Sequence, residues 1–428
     1  MILNEKERIS VTDDSGERQK AVLVSVMLPE MTEYEVETSL DELERLLDTA
    51  GGETALRVVQ ARQAPDNRTF IGKGKAQEIK QIIETEGDIT LAVFDNELSP
   101  AQINNLEDAL GVRVIDRTML ILDIFALHAS TAEGKLQVEI ACLKYTAPRI
   151  MGKGKALSRL GGGIGTRGPG ESQLETDRRH LQRRLDSLYE KLKELERTAA
   201  VKRRGREKNG MRTVAIAGYT NAGKSTLLNY LTGAGVLSED KLFATLDPTT
   251  RKLALPDGTD VLLTDTVGFI DRLPTHLVKA FRSTLDEIRF ADVVVCLIDA
   301  SEPDTERVRK TAVTESLVYE LCGEERELIR CYNKCDKLTE GEFLPPDGVC
   351  ISAATGEGVD KLLMRIKTAL DGGKKTVEYF FPHANGSELN RLFGCAEIKS
   401  KSYEAEGVAV TALVDGETAG RFAKFAVK

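Results

Sequence analysis

Thr213-Val-Ala-Ile-Ala-Gly218-Tyr-Thr-Asn-Ala-Gly223-Lys224-Ser225-Thr226 is the stretch on which the fold of this 428-residue chain turns. Residues 213–217 are short, apolar and β-prone, a glycine-bounded loop follows, and 226–231 read as the start of a helix. The pattern GxxxxGK[ST] therefore falls between a strand and a helix, the context that gives it chemical meaning. Its glycines let backbone N–H groups wrap a phosphate chain, and the helix N-terminus adds its positive end. Gly218, Tyr219, Thr220, Asn221, Ala222 and Gly223 are candidate phosphate contacts. Lys224 is placed to reach the β and γ oxygens, and Ser225 to ligate Mg²⁺.

Working outward, Asp265-Thr-Val-Gly268 closes the apolar run 261–263 about forty residues downstream. A carboxylate at a strand end fits the outer shell of the metal, and Gly268 would offer its N–H to the γ-phosphate. Thr266 and Val267 complete that turn. Asn333-Lys334-Cys335-Asp336 follows a third strand at 328–332, and Ser352-Ala353 follows a fourth at 349–351. An Asp carboxylate accepts two hydrogen bonds from the N1–H and exocyclic amine of guanine, a pattern adenine does not present. A site built on such bonds can discriminate by about 10⁴-fold. Phosphate loop, DxxG, NKxD and SA on successive strands predict a guanine-nucleotide domain over 211–372, of α/β class, binding GTP and GDP.

Phe243-Ala244-Thr245-Leu246-Asp247-Pro248-Thr249-Thr250 lies between the first two motifs, where a segment should contact the γ-phosphate and Mg²⁺. Spacing alone does not choose among its threonines. Phe269 occupies the position where many GTPases place a water-orienting Gln, and a phenyl ring cannot do that work. Slow intrinsic hydrolysis is expected. Asn221 either ligates a monovalent cation beside the phosphates or hydrogen-bonds within its loop.

Composition fits a multidomain protein with real cores: 41% apolar and 30% charged. No apolar run approaches the ~20 residues a membrane span needs. The start, Met1-Ile2-Leu3-Asn4-Glu5-Lys6, lacks the pattern of a secretory leader, so a cytoplasmic location is expected. Seven scattered cysteines without a CxxC pair and four separated histidines predict neither a disulfide scaffold nor a structural zinc site. The net charge is −9, yet residues 144–212 hold 19 basic and 8 acidic residues. A basic island in an acidic chain is a candidate footprint for a phosphate-rich partner.

The remaining segments alternate. Strands at 20–28, 55–61, 91–94 and 112–115, with helices between them, predict a small parallel α/β subdomain over 1–115. Ser39-Leu-Asp-Glu42 reads as a capping box opening its first helix, and Ser99-Pro100 opens another. Residues 116–205 read as a long helical hairpin, with Asp116 as a cap. The hairpin is interrupted at 152–170, which contains 8 glycines in 19 positions. A second capping box at Ser172–Glu175 leads a seam of Leu174, Leu181, Leu185, Leu188, Leu192 and Leu195 along a helix of about 28 residues. Residues 202–210 read as a charged linker, and 376–428 as a small α+β module.

Four strings go beyond a generic GTPase: Ile71-Gly-Lys-Gly-Lys75, Leu160-Gly-Gly-Gly-Ile-Gly-Thr-Arg-Gly-Pro-Gly-Glu-Ser-Gln-Leu-Glu-Thr-Asp177, Phe243–Thr250, and Asp265-Thr-Val-Gly-Phe-Ile270. Together they resemble the HflX family of ribosome-associated GTPases, over essentially residues 20–372. The resemblance implies an N-terminal α/β subdomain, a helical hairpin, a GTPase domain and a small C-terminal domain. It implies binding to the large ribosomal subunit and the splitting or rescue of stalled ribosomes under stress. The Gly-rich loop 152–170 would then touch ribosomal RNA, and hydrolysis would be stimulated by the ribosome. The second Mg²⁺ ligand falls on Thr245, the apolar residue at 269 matches the family pattern, and Asn221 matches a potassium ligand of related GTPases. The free protein is expected as a monomer. Two other functions fit parts of the chain: a switch acting on a protein effector without RNA, and an RNA-remodelling NTPase with a separate site at Gly72-Lys73-Gly74-Lys75, which lacks a full phosphate loop.

Overall fold

The computed structural model describes residues 18–158, 169–208, 211–233, 235, 241–243, 245–272, 274, 277, 281–323, 327–338, 343–372 and 375–427. The chain folds as two compact units. One comprises Met1–Gly205 with Leu237–Pro248 and Val267–Leu285; the other comprises Arg206–Val236, Thr249–Thr266 and Asp286–Lys428.

The first unit begins with β1 (Lys20–Met27), α1 (Glu33–Thr49), β2 (Glu53–Ala61), α2 (Lys73–Glu86), β3 (Ile89–Phe94), α3 (Pro100–Leu110) and β4 (Arg113–Asp116). The strands form a sheet in the order β2-β1-β3-β4, parallel throughout. β1 is buried along almost its whole length, the signature of a strand covered on both faces. The first helix departs from the sequence expectation. Its capping box is Thr32 with Glu35, seven residues before the expected start. Ser39 lies inside the helix, and its hydroxyl donates to Asp95 at 2.8 Å. The earlier box wins because starting there lets α1 bury Val36, Leu40, Leu43 and Leu47 on one stripe. Ser99 caps α3 with Pro100 as its first residue, as the sequence predicts, and Gln102 completes a reciprocal box.

α4 (Arg117–His128) is capped by Asp116, which accepts from Met119 N. It is buried from Arg117 through Phe125, a central helix rather than a surface one. α5 (Ala132–Ser158) and α6 (Pro169–Lys208) form the hairpin. Ile140 and Leu143 pack with Leu188 and Leu192, and Arg184 reaches Glu139 at 2.6 Å. Both helices run further than the sequence suggests. α5 continues through Gly152 and Gly154, and α6 starts at Pro169 rather than at Ser172. The expected linker is helical to Lys208, giving α6 40 residues or about 60 Å. Each interior glycine costs about 1 kcal/mol of helix propensity, which the strong Ala, Lys, Arg and Glu helix formers around it offset. Proline is at ease in a first helical turn. The rest of the Gly-rich segment, 159–168, lies outside the described residues.

The second unit holds β5 (Arg212–Gly218), α7 (Lys224–Thr232), β6 (Thr249–Ala254), β7 (Asp260–Asp265), β8 (Val293–Asp299), α8 (Asp304–Cys322), β9 (Leu328–Asn333), β10 (Val349–Cys350) and α9 (Val359–Leu370). The sheet order is β10-β9-β8-β5-β7-β6. β6 is antiparallel to β7, and the other neighbours are parallel. Val214, Ile216, Val293, Val295 and Leu297 share a core with Leu227 and Leu228 of α7. This places the loops after β5, β7, β9 and β10 at the carboxyl ends of parallel strands, where open α/β sheets bind ligands.

The C-terminal module is β11 (Lys375–Pro382), α10 (Gly386–Cys395), β12 (Glu397–Tyr403), β13 (Gly407–Val414) and α11 (Gly416–Arg421). Its antiparallel sheet runs β11-β13-β12, and Ala426 bridges back to Tyr379 on β11. The order βαββα with a final strand-like return is the split βαβ pattern. Tyr379, Phe381 and Phe422 fill its centre. Among the described residues no helix is long and apolar enough to cross a membrane, and no group of three or more His, Cys, Asp or Glu could hold a metal.

Candidate functional site

The loop after β5 folds as it does because two of its residues take left-handed backbone, Asn221 at φ 63° and Gly223 at φ 93°. Gly223 cannot be replaced lightly, since a Cβ there would lie 2.3 Å from Asn333 Nδ2. Gly218 meets a similar limit, with a Cβ 2.5 Å from the Leu297 carbonyl of β8. Gly223 is also the N-cap of α7 and offers no side-chain cap, so the first N–H groups of that helix face the loop without one. The glycines thus serve both chain reversal and close approach.

Lys224 is buried, and its Nζ donates to the carbonyls of Gly218 and Tyr219 at 3.2 and 2.9 Å. Burial pushes its ammonium down to about 8, against the pull of Asp265. A cation held by carbonyl dipoles and short of countercharge is poised to take an anionic oxygen. Tyr219 and Ala222 are buried beside Thr220, and the Tyr219 ring lies under Lys310 of α8 at 5.1 Å.

Ser225 Oγ donates to Asp265 Oδ2 at 2.7 Å. Asp265 is fully buried at the end of β7, and Thr266 fixes that strand end by donating to the Ile216 carbonyl at 2.7 Å. A hydroxyl and a carboxylate side by side at a phosphate cradle are hard oxygen donors of the kind magnesium takes. The pair fits the expected metal.

At the base end, the structure gives Asn333 a role the sequence did not suggest. Its Nδ2 donates to the Ala222 carbonyl at 2.8 Å, and its Oδ1 accepts from Ala353 N at 2.9 Å. One buried amide therefore ties the phosphate loop to the SA loop. Lys334 takes left-handed backbone at φ 65° and pairs with Asp299 at 2.6 Å. Asp336 stands exposed in the short turn Cys335–Lys337. Ser352 is buried, and its hydroxyl receives Thr355 N at 3.2 Å. No spacing rule could have identified the Asn333 or Asp299 contacts, because both partners come from distant strands.

The remaining expected residues belong to the first unit. Phe243 is buried with left-handed φ of 56°, edge-on to Phe125 of α4 at 4.8 Å. Phe125 in turn meets Phe281 at 4.6 Å. Leu242 N donates to Thr49 Oγ1 at 3.3 Å, and Leu246 is buried. Thr245 is half-buried between these anchors. Ala244 lies outside the described residues. Asp247 engages the start of α5: burial raises its carboxyl, but hydrogen bonds from Thr131 and Ser130 outweigh that and hold it below the usual range. Val267, Gly268, Phe269 and Ile270 are all buried. The Phe269 ring is therefore core, not a group that touches water. Just beyond, Arg272 pairs with the buried Asp95 at 3.4 Å. Arg117 donates to Asp95 at 3.0 Å and to the Asp271 carbonyl at 3.4 Å, and also pairs with Glu42.

The Gly72–Lys75 stretch shows a different arrangement. Gly72 N–H is taken by Gln60 Oε1 at 2.9 Å, and Lys75 pairs with Glu78 at 2.7 Å.

Three family models match the chain: a "GTP-binding GTPase N-terminal" region over 37–126, a "GTP-binding GTPase Middle Region" over 128–206 and a "50S ribosome-binding GTPase" over 213–334. A protein from Caldanaerobacter subterraneus named GTPase HflX is 45% identical over 96% of this chain and 94% of its own length. Its Escherichia coli K12 namesake is 40% identical over 92% of each. Among solved structures, a GTP-binding protein from Sulfolobus solfataricus in complex with GDP is 24% identical, with a TM-score of 0.44 over 82% of this chain and 98% of that one.

Proposed function

The chain belongs to the HflX family of GTPases, and we propose that it works on the large ribosomal subunit, splitting or rescuing stalled ribosomes under stress. It binds GTP and hydrolyses it to GDP and phosphate. The finer assignment places the reaction among Lys224, Gly268 and Thr245. Lys224 holds the β and γ oxygens, and the donor-rich start of α7 holds the phosphate chain. Gly268 N–H and Thr245 meet the γ-phosphate, and Asp336 accepts from the guanine edge. Ser225 and Thr245 would hold magnesium, with Asp265 orienting Ser225, and the ion would neutralise charge on the transferring phosphoryl group. Asn221 would hold a potassium ion beside the phosphates. With a buried Phe269 in the Gln position, nothing at that position orients water, so intrinsic turnover is slow and the ribosome supplies the missing stimulus.

The observation that carries the ribosomal reading is the hairpin. α6 shows Arg178, Arg179, Arg183, Lys191, Lys193 and Arg197 exposed along one long rod. Its apolar seam is spent on α5. A basic, aromatic-poor rod that ends in a Gly-rich segment suits phosphate and shape contacts with folded RNA rather than base stacking. GTP favours the bound state, and hydrolysis permits release in the cytoplasm, where ribosomes work.

Sedimentation of the full chain with intact ribosomes tests this. A non-hydrolysable GTP analogue should retain it on the large subunit and raise the free-subunit fraction; GDP should not. Deletion of 152–170 should abolish both effects, and binding should fall steeply with salt. Failure to co-sediment in either nucleotide state would remove the ribosome and leave a GTPase switch acting on a protein effector.

A further inference from the structure

Asp247 makes four hydrogen bonds at the beginning of α5. Its Oδ2 accepts from Ser130 N at 2.7 Å, Ser130 Oγ at 2.7 Å and Thr131 N at 2.8 Å. Its Oδ1 accepts from Thr131 Oγ1 at 2.5 Å. Thr131 Oγ1 in turn accepts from Gly134 N at 2.9 Å, so Thr131 is the cap of α5 and Asp247 is the anion above it. The fit leaves no slack. A Cβ at Gly134 would lie 2.3 Å from Asp247 Oδ1, so only a bare backbone lets the carboxylate reach both donors of the turn. Four donors converging on one carboxylate, with the positive end of a 27-residue helix beneath it, form a firm link between two segments more than a hundred residues apart.

The link matters because of what lies two residues away. Thr245 stands between this anchor and the buried Phe243, itself fixed against Phe125. No regular secondary structure holds residues 245–248; the anchors on either side do. Ordering such a segment on demand costs about 1–2 kcal/mol per residue. A segment ordered in advance leaves that cost out of binding. We propose that Asp247 is a positioning residue: by seating on the cap of α5 it fixes the backbone two residues from Thr245 and ties the nucleotide response of that threonine to the helix that leads into the Gly-rich segment. The inference rests on the assignment of Thr245 to the γ-phosphate and Mg²⁺ made above. It adds the route by which that contact reaches the hairpin. Coupling of this kind is reciprocal: if GTP steadies Thr245 and hence Asp247, then loosening the cap of α5 weakens GTP. GDP has no γ-phosphate for Thr245 to meet and is indifferent to the link.

The test compares affinities of the full chain for fluorescent GDP and for a fluorescent non-hydrolysable GTP analogue, in the wild type, Asp247→Ala, Asp247→Asn, Ser130→Ala/Thr131→Ala and Thr245→Ala. Asp247→Ala should weaken the analogue about tenfold while moving GDP less than twofold; the unchanged GDP affinity shows that the protein is folded. Asp247→Asn keeps the shape and one acceptor and should fall between. The Ser130/Thr131 variant should reproduce the Asp247→Ala loss, and combining the two should add little, because both remove one link. Hydrogen exchange supplies a readout independent of turnover: the analogue should protect the amides of Ser130 and Thr131 in the wild type and not in Asp247→Ala. If Thr245→Ala lowers the analogue-to-GDP ratio and Asp247→Ala does not, the positioning role is wrong and the Thr245 assignment survives. If Thr245→Ala leaves the ratio unchanged, both fall. Equal loss of GDP and analogue in Asp247→Asn would also overturn the proposal, since it would mark a general structural role.

Discussion

Residues 218–225 are held by the strand they leave, the helix they enter and the amide of Asn333 beside them. Residues 242–247 and 267–272 are held by side chains of the first unit, to which they themselves belong: Thr49, Phe125, Ser130 and Thr131 for the first, Asp95 and Arg117 for the second. The first region is a cradle whose shape follows from its own backbone. The second carries the residues expected to distinguish GTP from GDP, and its order is supplied from elsewhere in the chain. The proposed function assigns nucleotide binding to the first region and the response to the γ-phosphate to the second. Changes in the cradle should therefore act on GTP and GDP together, and changes in the anchors on GTP alone.

The largest effect tests the base end of the cradle. Asp336→Asn should remove most of a GTP-over-ATP preference of about 10⁴-fold, read from competition between the two nucleotides. The GTP-to-GDP ratio should stay as it was, because the base is common to both. A preserved preference for GTP would show that Asp336 does not read the base.

Lys224→Ala comes next. It removes the buried ammonium that Gly218 and Tyr219 hold and should weaken GTP and GDP by roughly 10²-fold or more. Asn333→Ala should weaken both by about tenfold through a different cause, since it leaves the Ala222 carbonyl and the Ala353 N–H without their bridge. Calorimetric titration checks both variants. Selective loss of GTP in either one would break the division between cradle and sensing segments.

How much of this was legible in the sequence follows the same division. The strand–loop–helix at 212–232 was legible almost residue by residue, because it depends on local backbone: glycine where a Cβ would strike Leu297 or Asn333, and a helix opening at Lys224. The parallel N-terminal sheet and the hairpin were legible from apolar periodicity; the antiparallel strand β6 was not. What was not legible depends on partners distant in the chain. Asn333 could be recognised as part of a motif, but not as the brace between two loops. Asp247 was a candidate nucleotide contact by position, and its place on α5 becomes visible only when Ser130 and Thr131 are brought to it. Helix ends were misjudged at Thr32, Pro169 and Lys208, where capping boxes compete and strong helix formers carry a helix through glycine.

The smallest effect is the most discriminating. Phe243→Leu keeps an apolar side chain in the pocket by Phe125 but removes an edge-to-face ring pair, which is worth about 0.5–1.5 kcal/mol beyond its buried area. The backbone at 243 is left-handed, φ 56°, a conformation costing of order 1–3 kcal/mol that only surrounding packing maintains for a bulky residue. Loosening the ring therefore lets the chain before Thr245 relax toward ordinary backbone. GTP-analogue affinity should fall about two- to fivefold while GDP affinity stays level, with a matching loss of hydrogen-exchange protection at Leu242. Phe125→Leu should do the same from the other side of the contact, and the double variant should be less than additive because one ring pair is removed in both. A parallel fall in GDP affinity would mean that Phe243 supports the cradle itself, and the two regions would then have to be treated as one.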